Sequence, residues 1–337
     1  MKFLLSYTTK HFDPVQNKVI YGHSIGREAK IYYDVLSEFG EVTYIDSAST
    51  DHIGHEYDLM VSLPRNFGFL TANNKIKKTI CSMNIPEPSY LYEVMSRDAG
   101  IIGCKLSDCF RPQNFYHADK FLMLGDSFNA DMFVAKGMDR TKIVLNKYGM
   151  DDFEFKPRDK NERPVFLHMA TTLGLRKGFY HVIQDFLKAD LDAELWCVGA
   201  VQKEKRWLEI ALEAAKDPRI KIIGWVDCYD PKYLEILYGA DFIVFPSWGE
   251  GQPGTVMEAV ATGCLPIVSK ESGFPYYPIT EYIRGDVASW KAAASMKNET
   301  FRAKQLEMKD YVEHNLYSYK TFEDNARNTV RELLNEK

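Results

Sequence analysis

Two glutamates, Glu250 and Glu258, lie in the stretch FPSWGEGQPGTVMEAVATGCLPIVS, which runs from residue 245 to residue 269. The stretch begins as an apolar strand, continues as a glycine- and proline-containing loop, and then takes the composition of a helix. A carboxylate is a strong acceptor for hydroxyl groups, and sugar and ribose rings present adjacent hydroxyls. The two residues therefore predict a site for a ligand that carries hydroxylated rings.

The same loop is also suited to an anion. Gly249, Gly251 and Gly254 let the backbone turn tightly and come close to a ligand. The first amides of the helix, near Gly254 and Thr255, carry the positive end of the helix dipole and suit a phosphate. Both features together predict a nucleotide sugar, in which a diphosphate joins two hydroxylated rings. A purely structural reading stays open, because the dipole alone favours a glutamate in the first helical turn.

Strand and helix patterns alternate along the chain, which predicts parallel sheets with crossover helices and an α/β fold class. In the first half, apolar strands are predicted at 2–7, 41–46, 57–63, 78–83, 101–106, 120–125 and 142–146. In the second half, they are predicted at 165–170, 193–198, 220–225, 241–246 and 265–269. The glutamate loop, defined here as residues 246–253, follows one of these strands, and open parallel sheets bind ligands at the carboxyl ends of their strands.

The charged, proline-containing segment 151–164 interrupts the alternation and is typical of a linker. We therefore predict two Rossmann-like domains and a helical tail. Their expected bounds are 1–150 for the first domain, 165–315 for the second domain and 316–337 for the C-terminal helix.

The composition indicates which partners and which cellular compartment to expect. A net charge of -5 argues against nucleic acid as the main partner. The N-terminal MKFLLSYTTKHF contains only a short apolar run, and no long one follows, so we expect a cytoplasmic protein without a membrane span. The six cysteines form no CxxC pair, which predicts reduced cysteines.

The stretch 245–269 resembles the glutamate-loop signature of the family-four retaining glycosyltransferases, which have the GT-B fold. The matching residues are Pro246, Ser247, Glu250, Gly251, Glu258, Ala259, Gly263, Pro266 and Ser269. Segment 118–157 resembles the end of the family's first domain, and segment 174–186 resembles its lysine–glycine element. The resemblance is weak over the first hundred residues.

The resemblance implies two Rossmann-like domains facing a central cleft, with the C-terminal helix crossing back to the first domain. It implies a retaining transfer of a hexose-type sugar, from a donor for which UDP or GDP is favoured, to a hydroxyl of a glycan, lipid-linked or other acceptor. The second domain would bind the donor and the first domain the acceptor. No cofactor or metal is expected, and the DxD triplet that begins at Asp190 is expected to be a turn.

The family's residue roles carry over to matching positions. Glu258 would bind the ribose hydroxyls, Glu250 the hydroxyls of the transferred sugar, and Lys177 the departing diphosphate. The backbone that would line the sugar and the diphosphate comes from Gly251, Gln252, Pro253, Gly254 and Thr255.

The chain departs from the family pattern at two places. The family's diphosphate arginine would fall near Thr171, so Arg176 is the candidate substitute. The family's first-domain histidine has no counterpart at the end of strand 57–63. The candidates for that acceptor or cleft position are Gly22, His23, Asp108 and His117.

Two other functions stay open. One alternative is a sugar-nucleotide epimerase or hydrolase with the same fold. The other is an inactive glycosyltransferase-like subunit that binds a nucleotide or glycan and serves a partner, and the two departures are its only support. A weak peripheral contact with the inner face of a membrane, through the basic segment 75–80, is also left open.

Overall fold

The computed structural model describes residues 1–20, 24–106, 114–125, 127–150, 152–274, 277–279, 281–315 and 318–335. The chain forms two compact units. The first comprises Met1–Pro88, Arg111–Met150 and Tyr317–Lys337, and the second comprises Ser89–Phe110 and Asp151–Leu316. The expected first domain runs without interruption to residue 150, whereas the structure assigns Ser89–Phe110 to the second unit.

The strands follow one another along the described chain. They are β1 (Lys2–Tyr7), β2 (Phe12–Asp13), β3 (Lys18–Val19), β4 (Glu41–Asp46), β5 (Glu56–Ser62), β6 (Lys75–Met83), β7 (Lys120–Leu124), β8 (Ile143–Asn146), β9 (Val165–Leu173), β10 (Glu194–Val201), β11 (Ile220–Gly224), β12 (Phe242–Phe245) and β13 (Leu265–Val268).

The helices alternate with these strands. They are α1 (Ser24–Ser37), α2 (Pro64–Asn73), α3 (Pro88–Ile102), α4 (Ser127–Ala135), α5 (Phe179–Ala189), α6 (Lys205–Ala214), α7 (Pro231–Gly239), α8 (Gly254–Ala261), α9 (Ala288–Ala294), α10 (Asn298–His314) and α11 (Tyr319–Asn335). Two 3₁₀ turns, Arg140–Lys142 and Lys270–Ser272, complete the set that the described residues form.

The first unit is built on a six-stranded parallel sheet in the order β4-β1-β5-β6-β7-β8. Helix α11 packs against α1, and its residues Phe322, Ala326 and Val330 join the apolar core of this unit. Arg327 of the same helix pairs with Glu38 at 2.8 Å. The C-terminal helix is therefore an integral part of the first unit, since its apolar face is buried there.

The second unit is built on a five-stranded parallel sheet in the order β11-β10-β9-β12-β13. Phe166 of β9 and Phe242 of β12 stack at 5.1 Å within its core. The strand order reverses between β9 and β12, and open α/β sheets bind ligands in the crevice at such a reversal. The loops that follow β9 and β12 are therefore the expected place for a site.

One predicted strand, 101–106, is wrong. Ile101 and Ile102 form the end of α3, and no strand lies at 103–106. Gly103 has φ +76°, and its N–H donates to Ala99 O at 2.8 Å, which closes the helix. A short apolar run cannot be told from a helix end by periodicity alone, and the glycine was the signal for a helix stop.

No helix in the described part of the chain is long and apolar enough to cross a membrane. The five cysteines that the structure describes are all free thiols. Lys75 and Lys77, from the basic segment 75–80, pair with Glu56 at 2.6 Å and with Asp58 at 2.7 Å. Part of the positive charge expected to attract a membrane surface is therefore balanced by carboxylates on the neighbouring strand.

Candidate active site

The loops after β9 and β12 are joined by short hydrogen bonds. The backbone N–H of Trp248 donates to Arg176 O at 2.8 Å, and Ser247 Oγ lies 3.0 Å from the same carbonyl oxygen. Gly178, at the start of α5, has φ +71°, and a Cβ there would lie 2.4 Å from Pro246 O. A side chain at Gly178 would push the two loops apart, so this close approach requires glycine.

Glu250 is a buried carboxylate at the centre of a cluster of charged side chains. Its Oε1 atom lies 2.5 Å from Arg176 Nη1 and 2.6 Å from Lys177 Nζ, and it accepts a hydrogen bond from Ser247 Oγ at 2.8 Å. Arg176 also donates to Gly249 O at 2.8 Å. Glu250 is only 7% exposed, so the two cations offset the cost of removing its carboxylate from water.

The cluster shifts the proton affinities of its members. Burial by itself raises the pKa of Glu250, but Arg176 and Lys177 outweigh burial and lower the pKa to about 2. Burial and the adjacent Arg176 lower the pKa of Lys177 to about 8, although Glu250 opposes this change. At neutral pH the carboxylate is therefore ionised, and the lysine is close to the pH range in which it loses its charge.

A third loop, which follows β13, fixes the backbone of the cluster. The Glu250 N–H donates to Glu271 O at 3.0 Å. Gly273 has φ +73°, and a Cβ there would lie 2.2 Å from Gly251 O. The glutamate loop is thus held on both sides by neighbouring loops at the carboxyl edge of the second sheet.

Helix α8 begins at Gly254, directly after the glutamate loop. Pro253 is its N-cap residue and makes no side-chain capping hydrogen bond. The Thr255 hydroxyl donates to Met169 O of β9 at 3.1 Å, which ties the helix start to the central strand. The backbone at Gly254 and Thr255 can therefore bind an anion, whereas the Thr255 hydroxyl serves to anchor the helix.

Glu258 lies on α8, separate from the cluster at Glu250. It is 5% exposed, and Tyr233 of α7 donates a hydrogen bond from its hydroxyl to Glu258 Oε2. The buried tyrosine orients this carboxylate. Sequence reasoning missed Tyr233, because nothing in the local pattern of α7 indicates which side chain reaches α8.

The structure places several predicted residues outside this cluster. Thr171, where the family's arginine was expected, is exposed on β9. The arginine beside Glu250 is Arg176. His117 is exposed in the first unit, where Thr71 Oγ1 lies 3.0 Å from its Nε2 and Phe67 contacts its ring. Three further candidates lie outside the described residues, namely Gly22, His23 and Asp108.

The DxD triplet has the local geometry of a helix end. Asp190 takes a left-handed backbone conformation with φ +47° immediately after α5, and its N–H donates to Phe186 O. Its carboxylate pairs with Arg219 at 3.1 Å. The triplet lies between α5 and β10, away from the carboxyl ends of the strands, so the sheet topology places it away from the cluster at Glu250.

Comparison with known proteins confirms the predicted family resemblance in the second unit. The family model described as glycosyl transferases group 1 matches residues 163–295. The chain is 28% identical, over 133 residues, to the capsular polysaccharide biosynthesis glycosyltransferase CapH from Staphylococcus aureus. That match spans 38% of this chain and 36% of the relative, so the two proteins align over about a third of their lengths.

Solved structures match the whole chain at low identity. Sucrose-phosphate synthase from Thermosynechococcus elongatus superposes with a TM-score of 0.68 at 14% identity, with 100% of each chain covered. A glycosyltransferase from Rickettsia africae gives 0.64 at 14% identity, covering 100% of this chain and 99% of that one. Anabaena HepE in complex with UDP-glucose gives 0.67 at 11% identity, covering 98% and 100%. The chain has the GT-B fold that the sequence predicted.

Proposed function

We propose that this protein transfers a hexose-type sugar from a nucleotide-sugar donor to a hydroxyl group of an acceptor, with retention of configuration and without a metal ion. One observation carries the proposal, namely that Arg176 and Lys177 meet Glu250 beside the start of α8. Two cations and a helix start suit a diphosphate, and a buried carboxylate beside them suits the hydroxyls of a sugar.

Each part of the donor has a matching group in the second unit. Glu258, oriented by Tyr233, binds the ribose hydroxyls. The backbone of Gly254 and Thr255 binds a phosphate. Glu250 binds the hydroxyls of the transferred sugar, and its pKa of about 2 keeps it ionised over the physiological range.

The chemistry then depends on stabilising a leaving group. The bond between the anomeric carbon and the diphosphate oxygen breaks, and the acceptor oxygen bonds to the same face of that carbon. The acceptor proton passes to an oxygen of the departing diphosphate. Arg176 and Lys177 stabilise the charge that develops on this group, which is why we propose that no metal ion is needed.

The comparisons suggest which ligands to test first. Anabaena HepE was solved with UDP-glucose and with UDP and glucose, so UDP conjugates come first and GDP conjugates second. The relative from Staphylococcus aureus is named for capsular polysaccharide biosynthesis, so glycan acceptors come first and lipid-linked acceptors second.

The deciding experiment is thermal unfolding with UDP, GDP, ADP, CMP and their sugar conjugates in EDTA, followed by transfer assays with the donor that binds. A ligand at a hundred times its dissociation constant should add about 2.7 kcal/mol to the free energy of unfolding. Glu258→Ala should weaken nucleotide affinity by about tenfold to a hundredfold, since a hydrogen bond to a charged group contributes about 1.5–3 kcal/mol.

Glu235→Ala is the matched control, because Glu235 is exposed on α7, the helix that carries Tyr233. Equal nucleotide affinity in wild type and Glu258→Ala would contradict the ribose role. Release of free sugar at the same rate with and without acceptor would indicate a hydrolase. A rate that collapses in EDTA and returns with Mn²⁺ would refute the metal-independent mechanism.

A further inference from the structure

Trp248 belongs to the glutamate loop, and its side chain contacts groups at both its edge and its face. It lies between Ser247, whose hydroxyl donates to Glu250, and Gly249, whose carbonyl accepts from Arg176. A movement of Trp248 therefore moves both neighbours that fix the charge cluster.

A buried carboxylate from α3 holds the indole ring of Trp248. The indole N–H of Trp248 donates to Asp98 Oδ2 at 2.7 Å. Asp98 is only 2% exposed, and His181 Nε2 of α5 lies 2.8 Å from its Oδ1. On the other side, the Arg284 guanidinium lies 3.4 Å from the centre of the indole ring. The ring is thus fixed both at its edge and across its face.

Asp98 is itself paired on both sides. A buried carboxylate costs free energy unless it is well paired. His181 Nε2 lies 2.8 Å from its Oδ1, and its Oδ2 accepts the indole N–H of Trp248 at 2.7 Å. Trp248 is therefore one of two groups that satisfy this carboxylate, and the carboxylate in turn fixes the edge of the partly exposed ring.

Helix α3 reaches the same loop at a second point. The Tyr90 hydroxyl donates to Glu271 Oε1 at 3.4 Å, and the Glu271 carbonyl accepts the backbone N–H of Glu250. Tyr90 and Asp98 are about 2.2 helical turns apart, so their side chains leave α3 in directions about 80° apart. Helix α3 therefore supports both the side chain of Trp248 and the residue that anchors the Glu250 backbone.

We propose that Asp98 is a positioning residue that, through Trp248, holds the glutamate loop in the geometry in which Glu250 meets its cations. In this role Asp98 acts through Trp248 and not through contact with the substrate. Its effect on turnover rests on the proposed function, whereas its effect on the order of the loop does not. Nothing in the family signature at 245–269 indicates this residue, because it lies 150 positions from Trp248 in the sequence.

The test compares wild type with Asp98→Ala and Trp248→Phe. Trp248→Phe keeps an aromatic ring at this position but removes the N–H donor together with part of the ring surface, so it serves if Asp98→Ala fails to fold. Arg206→Ala is the matched control, because Arg206 donates to Ile102 O at the end of α3 and has no hydrogen bond to the glutamate loop among those described. Amide hydrogen exchange is followed by mass spectrometry in peptides covering 246–253, and kcat and nucleotide affinity are measured in parallel.

We expect exchange in 246–253 to rise about tenfold in both loop variants and not in the control. Turnover should fall by about tenfold, as for a lost hydrogen bond to a charged group, while nucleotide affinity stays within about threefold, because Glu258 is untouched. Unchanged exchange in both variants would overturn the proposal, as would faster exchange with unchanged kcat. A wild type inactive with every nucleotide sugar would refute the proposed function, and the exchange result would still decide whether Asp98 orders the loop.

Discussion

Replacing Glu250 with glutamine tests the electrostatic reasoning at the site without changing its shape. The carboxylate is buried, yet Arg176 and Lys177 lower its pKa from 4.5 to about 2. One pKa unit corresponds to about 1.4 kcal/mol, so the ionised form is stabilised by about 3 kcal/mol at neutral pH. Glu250→Gln should lower the free energy of unfolding by about that amount, which corresponds to a fall in Tm of roughly 6–12 °C for a unit of this size.

The stability lost in Glu250→Gln should also depend on pH, and it should become smaller as the pH falls. Because the pKa of Glu250 is lower in the folded protein, its stabilisation is fully present above the unfolded value of 4.5 and is lost as the pH falls toward 2. The difference between wild type and Glu250→Gln should therefore be constant from pH 7 to about 5.5 and fall by more than half at about pH 3. Urea unfolding at several pH values measures it directly.

Glu307→Gln provides the control, since Glu307 is an exposed glutamate on α10 of the same unit. It should leave stability unchanged at every pH. A Tm of Glu250→Gln within about 2 °C of wild type at pH 7 would refute the reasoning, because the two cations would then contribute almost nothing to the buried carboxylate. A loss of stability that persisted unchanged at about pH 3 would refute it too, since it would have a packing cause rather than an electrostatic one.

Three further predictions concern Lys177, Gly178 and His168. Because burial lowers the pKa of Lys177 to about 8, diphosphate affinity should fall as the pH rises above 8 in wild type and not in Lys177→Arg, as titration calorimetry would show. Gly178→Ala should cost about 1–3 kcal/mol and reduce donor affinity, because its Cβ would meet Pro246 O at a positive φ; an unchanged Tm would contradict this. Burial lowers the pKa of His168 to about 4, so stability is full above 6.5 and up to about 3 kcal/mol is lost as the pH falls through 4. His168→Gln should flatten that part of the pH profile, and an equally steep decline in the variant would exclude His168 as its cause.

Those features of the site that depend on short-range spacing could be predicted from the sequence. Glu250, the glycines and the start of α8 lie within a dozen residues, so composition and turn chemistry located the loop and the helix start that we propose binds an anion. The alternation of strands and helices indicated two parallel sheets for the same reason. What it could not give was the strand order, and the reversal between β9 and β12 is what brings Lys177 to Glu250.

The contacts missed by sequence reasoning are long-range. Asp98 and Trp248 are 150 positions apart, and Tyr233 and Glu258 come from different helices. No periodicity within one element encodes which partner its polar side chains will meet. The strand predicted at 101–106 replaced the last residues of α3, the helix that carries Asp98. The contact between this helix and the glutamate loop was therefore not predicted.

The contacts of Glu250 link the binding of a donor's diphosphate to the binding of its sugar in the proposed function. Arg176, Lys177 and Ser247 all bond to one oxygen of this carboxylate, Oε1. A diphosphate that draws the two cations toward itself weakens their hold on a buried anion, which is costly unless other donors replace them. The hydroxyls of a sugar are such donors, whereas a nucleoside diphosphate alone carries none at this position. In the proposed function, recognition of the phosphates and of the sugar is therefore coupled through Glu250. A nucleotide sugar should then bind more tightly than its nucleoside diphosphate, by a margin that Glu250→Gln removes.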